Sequence, residues 1–482
     1  MRKTLFLFIG LGLLLNACNN DDDNGLNPTS AEVTVQNFMW QAMNEWYFWQ
    51  EDVADLADNR FVNNQEYTEY LQAGGDPESF IESLLFAEDR FTFYNKDFEV
   101  LLNSLSGIQK SNGLQTFSVD LLSDNSDDNR FLFVRNVIPG SDAANQGIKR
   151  GDVFYGVDGV QFTSQNISDL LSPDTYTLNR GELDVVNRLV NTTYEEVTIT
   201  KEENFLEPPI RLATTLDING TKIGYLMYQR FNSDFNEELN DVFGQFVADG
   251  VTDLVLDMRY NPGGSVNTSR LLASMIYGTN TNELYIRQRW NNKQQARFSD
   301  AQLEDFFADQ VSTGMPLNSL NLSRVFVLAT GSSASASELI MNGLDPYVEV
   351  VHIGTTTRGK NEFSISLVDD PDNRYSYTPS RVDNINPDNK WIIQPLVGRN
   401  ENSVGFIDYT AGFSPDFELR EDVFDLGSFG DPNEPLLARA IEEITNVSSK
   451  SLTKEQFSKS PNEVIEIDSQ ERGIMILDKS LQ

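Results

Sequence analysis

Cysteine and histidine each occur once in the 482 residues. That count excludes a disulfide framework, a zinc site built on several His or Cys, and a cysteine–histidine protease. Basic residues are scarce too: 36 Lys and Arg stand against 73 Asp and Glu, a formal charge of −37. Such a field repels phosphate backbones and argues against a nucleic-acid partner. No apolar run is long enough for a confident membrane span. What the chain does have is core material. It is 39% hydrophobic, with 31 Phe, 16 Tyr and 5 Trp, so bulk disorder is excluded. Its length suggests about two to four domains.

Residues 1–18 read MRKTLFLFIGLGLLLNAC, with Arg2 and Lys3 ahead of the apolar Leu5–Leu15 run and Ala17 just before the only cysteine. The segment resembles a bacterial lipoprotein signal, which implies cleavage after residue 17 and lipidation of Cys18, although Asn16 is unusual in such a box. Residues 18–31 are polar and acidic, opening with Asn19-Asn20-Asp21-Asp22-Asp23, and read as a solvated tether. An acidic run after a lipidated cysteine also resembles signals that send some lipoproteins to the cell exterior. The expected location is the cell envelope, lipid-anchored to the outer membrane, periplasmic or surface-exposed.

Residues 32–105 carry helical periodicity. Phe38, Met39, Ala42, Met43, Trp46, Tyr47 and Trp49 recur at three- and four-residue spacing, a stripe that reads as core. A second helix is expected near Pro77–Phe86, with Asp76 as N-cap. We expect this helical domain to cover the junction between the two units that follow. Residues 106–203 change to short β segments punctuated by glycine turns. Within them Pro139-Gly140-Ser141-Asp142-Ala143-Ala144 leads to Gly147-Ile148-Lys149-Arg150-Gly151-Asp152-Val153 and on to Val157-Asp158-Gly159. This run resembles the PDZ core, which implies a domain that takes a peptide as an added strand. Loop amides at Gly113, Leu114, Gln115, Thr116 and Phe117 would hold the peptide's terminal carboxylate.

Residues 212–447 alternate strands and helices, as in an α/β unit: strands at 222–229, 254–258, 324–328 and 349–354, and a helix at 234–248. Residues 448–482 are left unassigned. One strand runs into Ser332-Ser333-Ala334-Ser335-Ala336-Ser337-Glu338, where small residues at a strand-to-helix turn allow close approach and helix N-terminal amides favour negative charge. Lys360 follows the 349–354 strand, expected beside the serine-bearing one, 25 residues after Ser335. Upstream, Leu256-Asp257-Met258-Arg259-Tyr260-Asn261-Pro262-Gly263-Gly264 ends a third strand, and Gly412-Phe413-Ser414-Pro415-Asp416 follows later.

Together these motifs resemble the carboxyl-terminal processing peptidases (tail-specific proteases), over about residues 105–440. The resemblance implies a multidomain α+β chain: an N-terminal helical domain, a PDZ-like β domain and an α/β (ClpP/crotonase-like) serine peptidase core. It places Ser335 as nucleophile and Lys360 as general base, and it puts the oxyanion hole at the Ala336 amide with an amide of Gly263 or Gly264. It implies protein or peptide substrates with accessible C-termini, and neither cofactor nor metal. A lysine acts as base only when neutral, which requires burial or neighbouring positive charge; Arg358 is the cation close by in sequence. Many relatives carry Gln four residues after the lysine, where this chain has Ser364, so the third member of the site stays open between Ser364 and Glu362.

Other readings fit less well. His352 lies mid-strand between apolar residues and reads as a packed structural side chain. No G-x-S-x-G elbow occurs. Gly354–Lys360 matches the start of a phosphate loop, but Asn361 stands where the Mg²⁺-binding Ser or Thr belongs. The remaining competitor is a non-catalytic PDZ lipoprotein that captures peptide tails on a decayed peptidase scaffold.

Overall fold

The computed structural model of the chain describes residues 26–120, 128–446, 463–466 and 474–478. Cys18, the signal-like segment and the acidic run lie outside the described residues. Among the described residues no helix is long and apolar enough to cross a membrane.

Residues 32–105 contribute the helices Thr34–Trp46, Asn64–Ala73, Pro77–Ser83 and Phe98–Leu105. Asp76 caps the third, its carboxylate accepting from the Ser79 N–H with Pro77 in the first turn. That helix stops at Ser83 and does not reach Phe86. The aromatic stripe is buried, as its spacing implies. It does not lie where expected, however. Toward the junction ahead, the Ser104 carbonyl at the end of this segment accepts from Arg230, and the Ser106 carbonyl just beyond it from Asn232. The stripe itself shares one apolar cluster with Leu256, Phe363 and Leu396 of the α/β unit, because Trp- and Met-sized side chains need a broad apolar partner surface.

The next unit is an antiparallel sheet of Leu114–Asp120, Arg130–Val137, Val153–Val157, Thr175–Asp184 and Leu189–Thr200, in that order. Leu132, Val134, Phe154, Leu178 and Ile199 fill its core. Gly113 opens the first strand at φ 74, and a Cβ there would fall 2.2 Å from the Ser141 Cβ, so only glycine fits. Strand Glu463–Glu466 pairs antiparallel with Leu114–Asp120 at the sheet's outer edge.

Among the described residues two six-stranded sheets build the α/β unit. The first runs Ile210–Ile218, Thr221–Tyr228, Asp253–Asp257, Arg324–Ala329, Glu349–Gly354 and Phe417–Glu418, parallel from the second strand onward. The serine-bearing and lysine-bearing strands are neighbours, pairing Arg324 with Glu349 through Ala329 with Gly354. The second sheet runs Gly263–Ser265, Ile474–Ile476, Glu362–Ser364, Leu396–Asn402, Leu284–Trp290 and Glu304–Phe306. Ile474–Ile476 lies in the 448–482 stretch, whose sequence assigns it no element.

The β unit docks on the α/β unit through buried charge. Arg150 donates to Glu421 at 2.6 Å and to the Tyr260 hydroxyl at 2.9 Å. Burial alone would raise the Glu421 carboxyl; Arg150 and Arg259 instead hold it down at about 2.

Candidate active site

Three strand ends converge on the site. The first is the Asp257–Gly264 run. Arg259, wholly buried, is clamped by Asp257 at 2.8 Å and by Glu434 at 2.6 Å. Asn261 ties the turn down: its Nδ2 donates to the Tyr228 carbonyl at 2.9 Å, and its Oδ1 accepts from the Gly263 N–H at 2.9 Å. Gly264 has φ 136, and a Cβ there would meet the Phe231 carbonyl oxygen at 2.1 Å. No other residue fits that approach.

The second is the strand Arg324–Ala329, which turns into helix Ala336–Leu344. Ser335 sits at the N-cap with φ 65 and ψ −113, a strained conformation at a sharp strand-to-helix turn. Strain of this kind persists only where the surroundings enforce it. The Ala334 N–H and the Ser337 hydroxyl both donate to the Asn261 carbonyl, at 3.1 and 2.9 Å, and the Ser333 hydroxyl donates to the Met258 carbonyl at 2.7 Å. The serine turn is thereby bonded to the glycine turn. Ser335 is fully buried, and its Oγ has no hydrogen-bond partner among the described residues. Ala336 begins the helix, so its amide has no acceptor within it.

The third follows strand Glu349–Gly354. Lys360 is fully buried. Burial lowers its ammonium from 10.5 to about 8, against the nearby carboxylates of Glu362, Asp89 and Glu338, which favour the charged form. The Lys360 Nζ lies 5.2 Å from the centre of the Phe91 ring. Arg90, the preceding residue, donates to the Gly359 carbonyl at 2.5 Å. The helical layer therefore supplies one wall of the lysine's surroundings.

Glu338 joins the serine and lysine segments. Its Oε2 accepts from the Ser335 N–H at 2.8 Å and from the Lys360 N–H at 2.9 Å. Its Oε1 accepts from the Gly359 N–H at 2.7 Å and from the Thr357 hydroxyl at 2.5 Å. The carboxyl is fully buried, and burial pushes its pKa up while these four donors pull it down. In the sequence Glu338 stands within the serine motif with no role of its own. The available signal was an acid three residues after a serine N-cap, the capping-box spacing.

The backbones of Ser335 and Lys360 are thus held together, while no hydrogen bond joins the Ser335 hydroxyl to the Lys360 amine. Arg358 does not supply the depressing cation: it is exposed and donates to the Gly331 carbonyl at 3.1 Å, so desolvation is what lowers Lys360. The candidates for a third member face elsewhere. The Ser364 hydroxyl donates to the Met475 carbonyl at 3.1 Å, and Glu362 pairs with Arg399 at 2.8 Å. His352 sits in its strand with Nε2 3.2 Å from the Ala329 carbonyl oxygen, a packed side chain. Among the described residues no group of His, Cys, Asp and Glu is arranged to hold a metal ion.

The loop Gly113–Phe117 belongs to the β unit. Two of its amides are satisfied locally: Gly113 N–H donates to the Ser111 hydroxyl at 3.0 Å, and Leu114 N–H to Asn112 Oδ1 at 3.1 Å. Gln115 accepts from Asn136 at 3.0 Å. Thr116 is buried, and Phe117 packs edge-on against Tyr260, beside the glycine turn, with ring centres 5.7 Å apart.

The model of peptidase family S41 matches residues 222–395, and that of the peptidase S41 N-terminal domain matches residues 34–93. A carboxy-terminal-processing protease of Bartonella bacilliformis is 26% identical over 246 residues, covering 48% of this chain and 50% of that protein. A carboxyl-terminal-processing protease of Picosynechococcus sp. is 24% identical over 243 residues, covering 49% and 52%. The chain spans about half the length of the curated relatives it matches. A crystal structure from Bacteroides fragilis NCTC 9343, assigned to the S41 proteases, superposes with a TM-score of 0.67 at 25% identity, covering 85% of this chain and 97% of that one. Residues 34–93 and 222–395 are thus similar to the two parts of peptidase family S41, and about half of the chain is similar to carboxyl-terminal processing proteases.

Proposed function

We propose that this chain is a serine endopeptidase that cleaves C-terminal segments of proteins, with Ser335 as nucleophile and Lys360 as general base. One observation carries the reading. A lysine brought down to about 8 by burial stands on a backbone that shares a carboxylate oxygen with the backbone of a strained, buried serine. A serine hydroxyl is a weak nucleophile and needs a base for its proton. Neutral Lys360 takes that proton as Ser335 attacks the scissile carbonyl. The protonated lysine then delivers it to the leaving amine, and the acyl-enzyme is resolved by water deprotonated at the same amine. The Ser335–Lys360 hydrogen bond forms as substrate binds, since catalytic hydrogen bonds are often loose in the free enzyme.

The oxyanion is assigned to the amides of Ala336 and Gly264, because the Gly263 N–H is already bonded to Asn261. Each such donor is worth about 3–4 kcal/mol in acyl transfer. The β unit is assigned a PDZ-type role, receiving the substrate tail on the edge of Leu114–Asp120. In support, that edge already accepts an added antiparallel strand, Glu463–Glu466. The proposed location is the cell envelope, with a lipid on Cys18, on the strength of the N-terminal sequence.

A serine-reactive phosphonate tests the reading. Labelling is expected on Ser335 and lost in Ser335→Ala. Lys360→Arg should be as inactive as Lys360→Ala, because a guanidinium cannot act as a base. A folded wild-type protein that takes no label, with or without peptide substrate, would favour the non-catalytic binder.

A further inference from the structure

Among the described residues, strand Gly263–Ser265 is joined to the rest of its sheet only through Ile474–Ile476. On one side Gly263 pairs with Ile474, Gly264 with Met475 and Ser265 with Ile476, all parallel; on the other Ser364 pairs with Ile476. The far wall is Glu362–Ser364, which begins two residues after Lys360. The slot between the glycine turn and the strand following the lysine is therefore one strand wide, and residues 474–478 fill it. A peptide whose carbonyl is to reach both the Gly264 amide and Ser335 has to lie in that slot.

The segment is seated by specific contacts. Leu477 N–H donates to the Ser364 carbonyl at 3.1 Å, and the Ser364 hydroxyl donates to the Met475 carbonyl at 3.1 Å. Met475 is fully buried with its Sδ 3.1 Å from Asn400 Nδ2, and Leu477 is buried two residues on. Ile476, between them, is half-buried. Asp478 closes the end, accepting from the Ser265 hydroxyl at 2.6 Å and from the Asn267 N–H at 3.3 Å. Apolar side chains alternate inward along the strand while backbone groups bond to the wall, which is how an extended peptide is recognised by strand addition.

We propose that Ile474–Asp478 occupies the substrate-strand position of the active site in cis. On this view the Met475 and Leu477 pockets are substrate subsites that select apolar residues two apart, and the segment competes with substrate for the slot. The proposal rests on the peptidase reading above for the slot's purpose, and its test does not depend on catalysis.

The probe is a fluorescein-labelled peptide of sequence Gly-Ile-Met-Ile-Leu-Asp, followed by anisotropy with full-length Ser335→Ala and with the same protein carrying Met475→Asp and Leu477→Asp. Because an occupied site lowers apparent affinity by the fraction unoccupied, the released variant should bind at least about ten-fold tighter. Equal affinity in the two proteins overturns the proposal. If circular dichroism shows that the double variant is unfolded, Asp478→Ala decides. Its loss removes the closing contact with Ser265 and Asn267, and a gain in affinity supports the proposal while parental affinity overturns it. Phosphonate labelling of the released variant with Ser335 intact reports on the other reading. Tight peptide binding without labelling leaves the occupant in place and removes the peptidase.

Discussion

The backbone N–H groups of Ser335 and Lys360 donate to one oxygen, Glu338 Oε2, at 2.8 and 2.9 Å. Two residues 25 apart in the chain are thereby set no farther apart at their amides than two hydrogen bonds. Glu338→Ala removes the acceptor for three buried backbone donors and for the Thr357 hydroxyl. Each donor left unpaired costs about 1–3 kcal/mol. We expect a large loss of stability in urea denaturation and no phosphonate labelling of whatever folds. Glu338→Gln keeps one acceptor oxygen but turns an NH₂ toward remaining donors, so it should fold with reduced labelling.

Lys360 sets a pH dependence in both activity and stability. With the amine at about 8, kcat/KM should rise with pH and reach half its plateau near pH 8. The folded state disfavours the ammonium, which the unfolded chain releases only near 10.5. Between about 8 and 10.5 the unfolded state binds more protons, so stability rises with pH across that window and the destabilisation is complete below it. The difference amounts to roughly 3 kcal/mol. Lys360→Met should therefore be inactive, more stable than wild type at pH 7, and free of the rise. Thermal melts between pH 7 and pH 10 check this, and equal slopes in the two proteins would reject it.

Phe91 packs against the Lys360 amine, its ring centre 5.2 Å from Nζ. Phe91→Ala should cost about 3–5 kcal/mol, as for a buried aromatic. It should also hydrate the ammonium, raising the lysine pKa and moving the pH–rate profile to the alkaline side. A merely structural role would lower stability without moving the profile. Rescue by Phe91→Leu, in part, is expected on the same ground.

Glu421 links the β unit to the α/β unit. Its carboxyl is held at about 2, so its share of stability is complete above the ordinary carboxylate pKa and disappears as pH falls through about 2. Arg150→Ala leaves Glu421 buried with Arg259 and Tyr260 still on it, at a cost of about 3 kcal/mol. Denaturant unfolding at pH 7 measures the loss. At neutral pH, limited proteolysis between residues 203 and 212 should quicken as the units loosen.

Local pattern carried the elements and the motifs. The buried-strand runs near 254, 324 and 349 lie within a residue or two of the observed strands, because a parallel strand covered on both faces must be apolar throughout. The cap at Asp76 was legible for a similar reason, since capping is decided within one turn.

What sequence determined by itself is the set of reactive types and their spacing: a serine at a strand-to-helix turn, a lysine after the neighbouring strand, and glycines at a third strand end. Tertiary structure decided what each group meets. It made desolvation, not Arg358, the cause of the lysine's shift; it put Asp89, Arg90 and Phe91 of the helical layer beside that lysine; and it laid residues 474–478 across the slot. The physical reason is range. Burial and strand addition depend on surfaces contributed by segments hundreds of residues apart, which no local periodicity records.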